Sequence, residues 1–174
     1  MDKPPLTRPL AMGKLTRRIP RADVNRQILR YWLSKRKTTR FPSRADIEPA
    51  AIARLLPDVM LIDVEYPPLR FRFRLVGTRL TRVYGKEYTS RYLDELDLDD
   101  HQRAITCDYD EVAQCGVPHC DEYAYIMHSD RYRHFERLLL PLSDDGQIVN
   151  MLLGSLHEFT FSEERAGRAL INLG

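Results

Sequence analysis

Apolar residues along the chain recur in short segments, and these segments predict several short elements. Between Asp23 and Lys37 they recur every three or four positions, which predicts an amphipathic helix with Asp23 as its N-cap. The stripe contains the only tryptophan of the chain. It either docks onto the body of the protein or forms a dimer interface, and its members are Val24, Ile28, Tyr31 and Trp32. A shorter helix is predicted over residues 43–57.

Strict alternation of residue types predicts a hairpin. In residues 70–75 arginine alternates with Phe71, Phe73 and Leu75, which places the three apolar side chains on one buried face. A β-rich apolar run at residues 59–64 comes before it, and two consecutive prolines between the runs make the turn. The outward arginines are expected to form a cationic stripe on the solvent face of this strand: Arg70, Arg72 and Arg74.

The remaining pattern predicts helices followed by three strands. Thr78 to Tyr84 suits a two-turn helix with Gly85 as its C-cap, and Asp99 or Asp100 can cap a longer helix that ends near Gly116. The strands are predicted near residues 119–128, 132–142 and 147–159, and a terminal helix follows Thr160. With no alternation of strand and helix, the order predicts an α+β domain: a five-stranded antiparallel sheet with short helices on one face, an N-terminal flanking helix and a C-terminal helix.

The net charge of +2 conceals an uneven distribution. Residues 1–40 carry twelve Lys/Arg and two Asp, whereas the rest carries fifteen basic and twenty-three acidic residues. We therefore divide the chain into a basic flexible arm (1–21), a flanking helix (22–40), a sheet domain (41–158) and a helical tail (159–174). The arm is a solvated tail or docks on an acidic surface. Contact with nucleic acid or anionic lipid is not expected, since no nucleic-acid fold surrounds its arginines.

Candidate chemistry is sparse. The chain lacks the ~18–20 consecutive apolar residues of a membrane span and the apolar segment of a secretory signal, so we expect a cytoplasmic protein. Its three cysteines, an odd number, suit a reducing compartment. Among Cys107, Cys115 and Cys120, only the last gap fits the spacing of a usual zinc site, and no nucleophile, base and orienting group converge. We therefore expect neither a metal site nor an enzyme.

The element order resembles that of PAS sensory domains, and three segments carry the resemblance. Residues 71–78 (FRFRLVGT) are similar to the second strand of a PAS domain and its exit. Tyr84-Gly85-Lys86, followed by residues 92–96, is similar to the segment before the longer helix. Residues 139–154 are similar to the final hairpin. Residues 40–49 resemble a segment of small stand-alone bacterial PAS proteins frequent in alphaproteobacteria. The resemblance implies a sensor or protein-interaction module in signalling, commonly dimeric, with a cavity between the sheet and the short helices.

That cavity would be bordered by a concentration of tyrosines, whose hydroxyl groups suit a polar ligand. The candidate pocket residues are Tyr84, Tyr88, Tyr92, Cys107, Tyr109, Glu122, Tyr123 and Tyr125. Which face of the strand near residues 119–128 lines the cavity stays open. The alternative function is a small-molecule-binding or thiol-dependent enzyme that uses the same cavity.

No cofactor is predicted. Flavin-binding relatives carry an Asn-Cys-Arg-type sequence after the Gly-Lys pair, where this chain has Glu87-Tyr88-Thr89. Haem-binding relatives use a histidine on or beside the longer helix, and His101 is better explained as a residue of the capping region. We expect a homodimer that passes a signal to an unidentified partner protein.

Overall fold

The computed structural model describes residues 19–36, 38–96, 102–126 and 132–160, without the side chains of residues 102, 124–126 and 132. Its helices are α1 (Asp23–Lys35), α2 (Thr78–Tyr84) and α3 (Gln102–Cys115). Its strands are β1 (Val59–Glu65), β2 (Arg70–Val76), β3 (His119–Ile126), β4 (Tyr132–Leu142) and β5 (Met151–Glu158). Short 3-10 helices cover Arg44–Asp46, Pro49–Ile52, Leu56–Asp58 and Leu93–Glu95. The predicted cap at Asp99 or Asp100, the terminal helix and residues 1–18 of the arm lie outside the described residues.

The five strands form one antiparallel sheet in the order β2-β1-β5-β4-β3. This confirms the predicted α+β fold class. We call the face toward α2 and α3 the front, and the face covered by α1 the back. Within the part of the chain that is described, no helix is both long and apolar enough to cross a bilayer.

Helix α1 packs on the back of the sheet of its own chain, against β4 and β5. Ile28 and Trp32 are fully buried there, and the Trp32 indole donates a hydrogen bond to the Pro141 carbonyl at 3.0 Å. The two residues at the centre of the predicted dimer interface therefore belong to the core of one chain. Val24 and Tyr31 are half-buried at the margin of the same contact.

The N-terminus of α1 is capped by a distant side chain. Ala22, rather than Asp23, is the N-cap residue, and it offers no capping side chain. The carboxylate of Glu136 on β4 accepts hydrogen bonds from the Arg21 amide at 2.6 Å, the Ala22 amide at 2.9 Å and the Asn25 side chain at 3.0 Å. Glu136 is fully buried. These bonds tie residue 21, assigned from the sequence to the flexible arm, to the sheet.

A β-bulge changes the predicted face of β2. Leu61 pairs with Leu75 whereas Ile62 pairs with Phe73, so Arg74 is an extra residue on this strand. An extra residue inverts the alternation beyond it. Phe71 and Phe73 are buried as predicted, but Leu75 is 42% exposed.

The arginines of β2 do not form a free cationic stripe. Arg70 bonds bidentately to Asp94 at 2.9 and 2.8 Å. Arg72 donates to Asp63 at 2.9 Å and to Glu65 at 3.1 Å, and Arg74 donates to Asp63 at 2.7 Å. Each predicted outward charge is thus matched by a carboxylate.

Two predicted boundaries also change. Residues 43–57 form three 3-10 turns in place of one helix, because the two prolines of this segment lack the amide donors that a continuous helix needs. The last strand begins at Met151 rather than near 147. The Asp145 carboxylate accepts hydrogen bonds at 2.8 Å from the amides of Gln147 and Ile148, which holds these residues in a wider loop.

We predict that Trp32→Ala destabilises the protein by about 3–5 kcal/mol, because it leaves a large cavity and removes the indole hydrogen bond. The neighbouring Leu33→Ala, at a position that is 48% exposed, should cost less than about 1 kcal/mol. Urea denaturation of both variants measures the difference. Equal losses would show that α1 does not pack on the sheet through Trp32.

Candidate functional site

A cavity of about 40 Å³ lies between the front of the sheet, α2, the turn at Leu93–Glu95 and α3. Four of the predicted pocket residues line it: Tyr84, Tyr88, Tyr109 and Tyr123. The other lining residues are Met60, Phe73, Val76, Leu93, Leu96, Ile105 and Arg137. The predicted tyrosines thus meet at one place, although they come from α2, the loop after it, α3 and β3.

Three predicted pocket residues lie elsewhere. The Tyr92 hydroxyl donates to Glu65 at 3.1 Å, and the Arg70 guanidinium lies 3.7 Å from the centre of its ring. Cys107 is exposed on α3. Glu122 is buried on the back of the sheet, with its carboxylate 3.0 Å from His134 and 3.8 Å from Arg21. The eighth candidate, Tyr125, has a side chain outside the described part of the chain.

These positions answer which face of β3 lines the cavity. Successive side chains of a strand point to opposite faces. Tyr123 lies on the front and stacks on Phe135, with ring centres 5.7 Å apart, so Glu122 must lie on the back.

The tyrosine cluster is held together by ring contacts and by one hydroxyl pair. The ring centres of Tyr84 and Tyr88 lie 5.2 Å apart. The Tyr109 ring packs edge to face on Phe71, with 5.3 Å between the ring centres. Tyr84 shares a side-chain hydrogen bond with Tyr123. Burial raises the pKa of Tyr84 above its usual value and that of Tyr109 to about 12. The hydroxyl groups of Tyr84 and Tyr109 therefore stay neutral at physiological pH.

Arg137 on β4 is the charged group of the cavity, and the sequence reasoning did not select it. Its Nε and Nη2 donate to Asp121 at 3.0 and 2.8 Å, and Nη2 also donates to Asp108 at 2.6 Å. The guanidinium lies 5.7 Å from the centre of the Tyr109 ring and 5.6 Å from that of Tyr123. The sequence does contain one indication of this role: Arg137 directly precedes the apolar residues 138–140, so it is expected to be buried and to need oppositely charged partners.

The charges around this guanidinium reinforce one another. Burial alone would lower the pKa of Arg137 and raise that of Asp121. The attraction between them outweighs burial, so the pKa of Arg137 is raised and that of Asp121 is lowered. Both groups are ionised, and the hydrogen bonds among the described residues leave Nη1 without a partner.

The cysteines do not form a reactive site in this cavity. Cys107 and Cys115 are exposed, and Cys120 is buried. Among the described residues that line the cavity there is no thiol. The geometry therefore offers no support for the alternative of a thiol-dependent enzyme. His101, considered as a haem ligand, lies outside the described residues.

We predict that Arg137→Met lowers the free energy of unfolding by about 3–5 kcal/mol, because the carboxylates of Asp108 and Asp121 lose the positive charge that they bond to. Arg74→Met is the matched control. Its guanidinium is 56% exposed and its partner Asp63 keeps Arg72, so the loss should stay below about 1 kcal/mol. Chemical denaturation at neutral pH compares the two, and a mild effect of Arg137→Met would contradict the assigned role.

We predict that Tyr84 stays protonated at a pH at which exposed tyrosines ionise. Its pKa in the folded protein lies above the reference value of 10.0, so the folded state favours the neutral phenol and loses this stability as the pH rises past that value. Tyrosinate absorbance near pH 10.0 should be the same for the folded wild type and Tyr84→Phe. The two should differ after unfolding in urea. A difference already present in the folded proteins would refute the burial of this hydroxyl.

Solved structures of similar shape include a light-oxygen-voltage domain studied with a flavin analogue, with a TM-score of 0.50 and 10% identity over 71% of this chain and 92% of that one. The Rhodobacter sphaeroides LOV protein has a TM-score of 0.49 and 18% identity, over 63% and 64% of the two chains. A sensory box histidine kinase/response regulator from Burkholderia thailandensis has a TM-score of 0.44 and 15% identity, over 71% and 92%. A comparison with curated proteins finds no significant match.

The family comparison covers most of the chain. The model of the PAS domain matches residues 21–157, a span that begins just before α1 and ends within β5. It includes β1 to β4, all of β5 except its last residue, and every residue described as lining the cavity. The chain belongs to the PAS domain family.

Proposed function

We propose that this chain is a non-enzymatic sensory module of bacterial signalling that acts in the cytoplasm and binds a small molecule in the cavity on the front of the sheet. The cavity carries the proposal, because it combines an aromatic wall with one buried guanidinium. PAS and LOV domains are commonly parts of signalling proteins, which supports a sensory role.

The charge of the site favours a neutral ligand. Arg137 contributes one positive charge, whereas Asp108 and Asp121, both bonded to it, contribute two negative charges. The tyrosines add no charge. A neutral molecule with one hydrogen-bond acceptor can bind Nη1 and keep its apolar part against the rings, whereas an anion would meet a surplus of negative charge.

The size of the cavity favours a ligand of a few non-hydrogen atoms. About 40 Å³ holds roughly three water molecules. Pockets for drug-sized ligands measure about 300–1,000 Å³. A larger ligand would therefore have to displace the Tyr88 side chain or the turn at Leu93–Glu95, which form part of the wall.

The proposed ligand is not a flavin, the group named for one of the similar structures. The three-ring system of a flavin is larger than the cavity of about 40 Å³, in which Tyr88 packs against both Phe73 and Tyr84. The chain also has Tyr88 where the flavin-binding sequence type carries its reactive cysteine. We derive no photochemistry for this chain.

A route for the signal follows from the neighbour of Arg137 on β4. Glu136 points to the back and holds the start of α1 through the amides of Arg21 and Ala22. A ligand that shifts Arg137 would shift the adjacent residue and with it the α1 contact. A homodimer and a signalling partner stay predictions. With Ile28 and Trp32 buried, the outer part of α1 available for them includes Leu33, which is 48% exposed.

We expect acetamide and acetone, as small neutral probes, to raise the melting temperature of the full chain, and acetate to raise it less at equal concentration. Val76→Phe adds a ring to the cavity wall and should abolish the shift, because it fills the space the probe needs. Flavin mononucleotide, tested alongside, should give no shift.

The control is Val117→Phe, at a position that is 43% exposed in the loop before β3. It should retain the response of the wild type. If no probe shifts the wild-type melting temperature, or if Val76→Phe responds like the control, the cavity is not the ligand site.

A further inference from the structure

Three potential metal ligands meet where α3 approaches the start of β3. Asp108 and Glu111 are three residues apart on α3 and share one face of the helix. His119 is the first residue of β3. One ligand atom from each of the three lies within 4.8 Å of the other two. Asp108 and His119 are buried, and Glu111 is half-buried.

The imidazole of His119 is buried without a well-formed hydrogen bond in the part of the chain that the structure describes. Its side chain is only 4% exposed, and neither ring nitrogen has a hydrogen bond of acceptable geometry among the described residues. Nε2 lies 3.5 Å from Asp121 Oδ1 and 3.8 Å from Asp108 Oδ2, so the ring is aimed at carboxylates without bonding well to either. A buried polar group without a partner is costly, and it points to a ligand that would complete the site.

In the described chain, the carboxylates at this place outnumber the cations by two, since three acids, Asp108, Glu111 and Asp121, are present with one guanidinium, that of Arg137. Arg137 and Asp121 form a complete bidentate pair, with Nε and Nη2 bonded to the two carboxylate oxygens. Asp108 shares Nη2 of the same guanidinium, and Glu111 has no ion pair among the described residues. Asp108 and Glu111 therefore lie beside the His119 imidazole, and of the described cations only the Nη2 that Asp108 shares with Asp121 offsets their charge. A divalent cation balances them.

We propose that Asp108, Glu111 and His119 bind one divalent transition-metal ion of the class that accepts imidazole and carboxylate ligands, such as Zn²⁺ or Mn²⁺. Metal to ligand distances in such sites are about 2.0–2.2 Å, so the three side chains must draw together from their present separations. Glu111 is half-buried and can change rotamer to do so. The Arg137 bond to Asp108 Oδ2 supplies the outer-shell contact that orients a ligating carboxylate.

This site is separate from the ligand cavity. None of its three members lines the cavity. The Asp108 to Arg137 bond connects the two sites, and so does Asp121, which lies 3.5 Å from His119 and bonds to Arg137. The metal would hold the C-terminal half of α3 to the edge of the sheet. The metal site can form whether or not the cavity binds a ligand, because none of its three ligands lines the cavity.

The test uses the full chain with Cys107→Ser and Cys115→Ser, so that exposed thiols do not bind the ion. After treatment with a chelator, isothermal titration with Zn²⁺ alone and with Mn²⁺ alone should show one ion per chain for at least one of the two metals. Glu111→Gln should weaken binding at least about tenfold. Asp110→Asn, an acid on the same helix outside the group of three, should leave the affinity unchanged.

Circular dichroism confirms that the variants are folded before titration. His119 is read separately by NMR, where saturating metal should perturb its ring resonances and remove any protonated form. The proposal is overturned if neither metal binds at millimolar concentration, if Glu111→Gln binds as the wild type does, or if His119 is protonated near neutral pH in the presence of metal.

Discussion

The structure depends on two adjacent buried charges of opposite sign. Glu136 and Arg137 are consecutive on β4, and the pleat of the strand sends their side chains to opposite faces of the sheet. Neither charge can be buried without close partners. Glu136 obtains them from the start of α1, and Arg137 from Asp108 on α3 and Asp121 on β3. One dipeptide therefore fixes where two helices lie on the two faces.

The cavity is a consequence of the same arrangement. Arg137 needs carboxylates on its outer side, while the rings of Tyr109 and Tyr123 flank the guanidinium. The short elements between β2 and α3 complete the wall with Tyr84 and Tyr88. Bulky rings leave little free volume, which is why the ligand proposed for this cavity is small. The carboxylate that Arg137 shares with α3 also belongs to the proposed metal site.

Local patterns predicted the regular elements well, and they failed where distant atoms decide. The hairpin, α2 with its Gly85 cap, and the five strands follow from alternation and turn residues. The bulge that exposes Leu75 comes from pairing with β1, which no window of β2 alone contains. The late start of β5 comes from the Asp145 carboxylate, which holds the amides of the loop. The sequence pattern predicts Asp23 as the N-cap of α1. The amides at the start of this helix instead bond to Glu136, more than a hundred residues away in sequence.

The sequence by itself determined the element order, the antiparallel α+β fold class and a set of tyrosines, because these depend on short-range periodicity. It also determined that Glu122 and Tyr123 point to opposite faces, since neighbours on a strand always do. Only the tertiary structure decided which of them faces the cavity, and that Trp32 packs within its own chain. Only the tertiary structure places His119 near Asp108 and Glu111, and only it places Arg137 in contact with Asp108 and Asp121. Contacts of this kind join residues from different elements, and their geometry exists only after the sheet has formed.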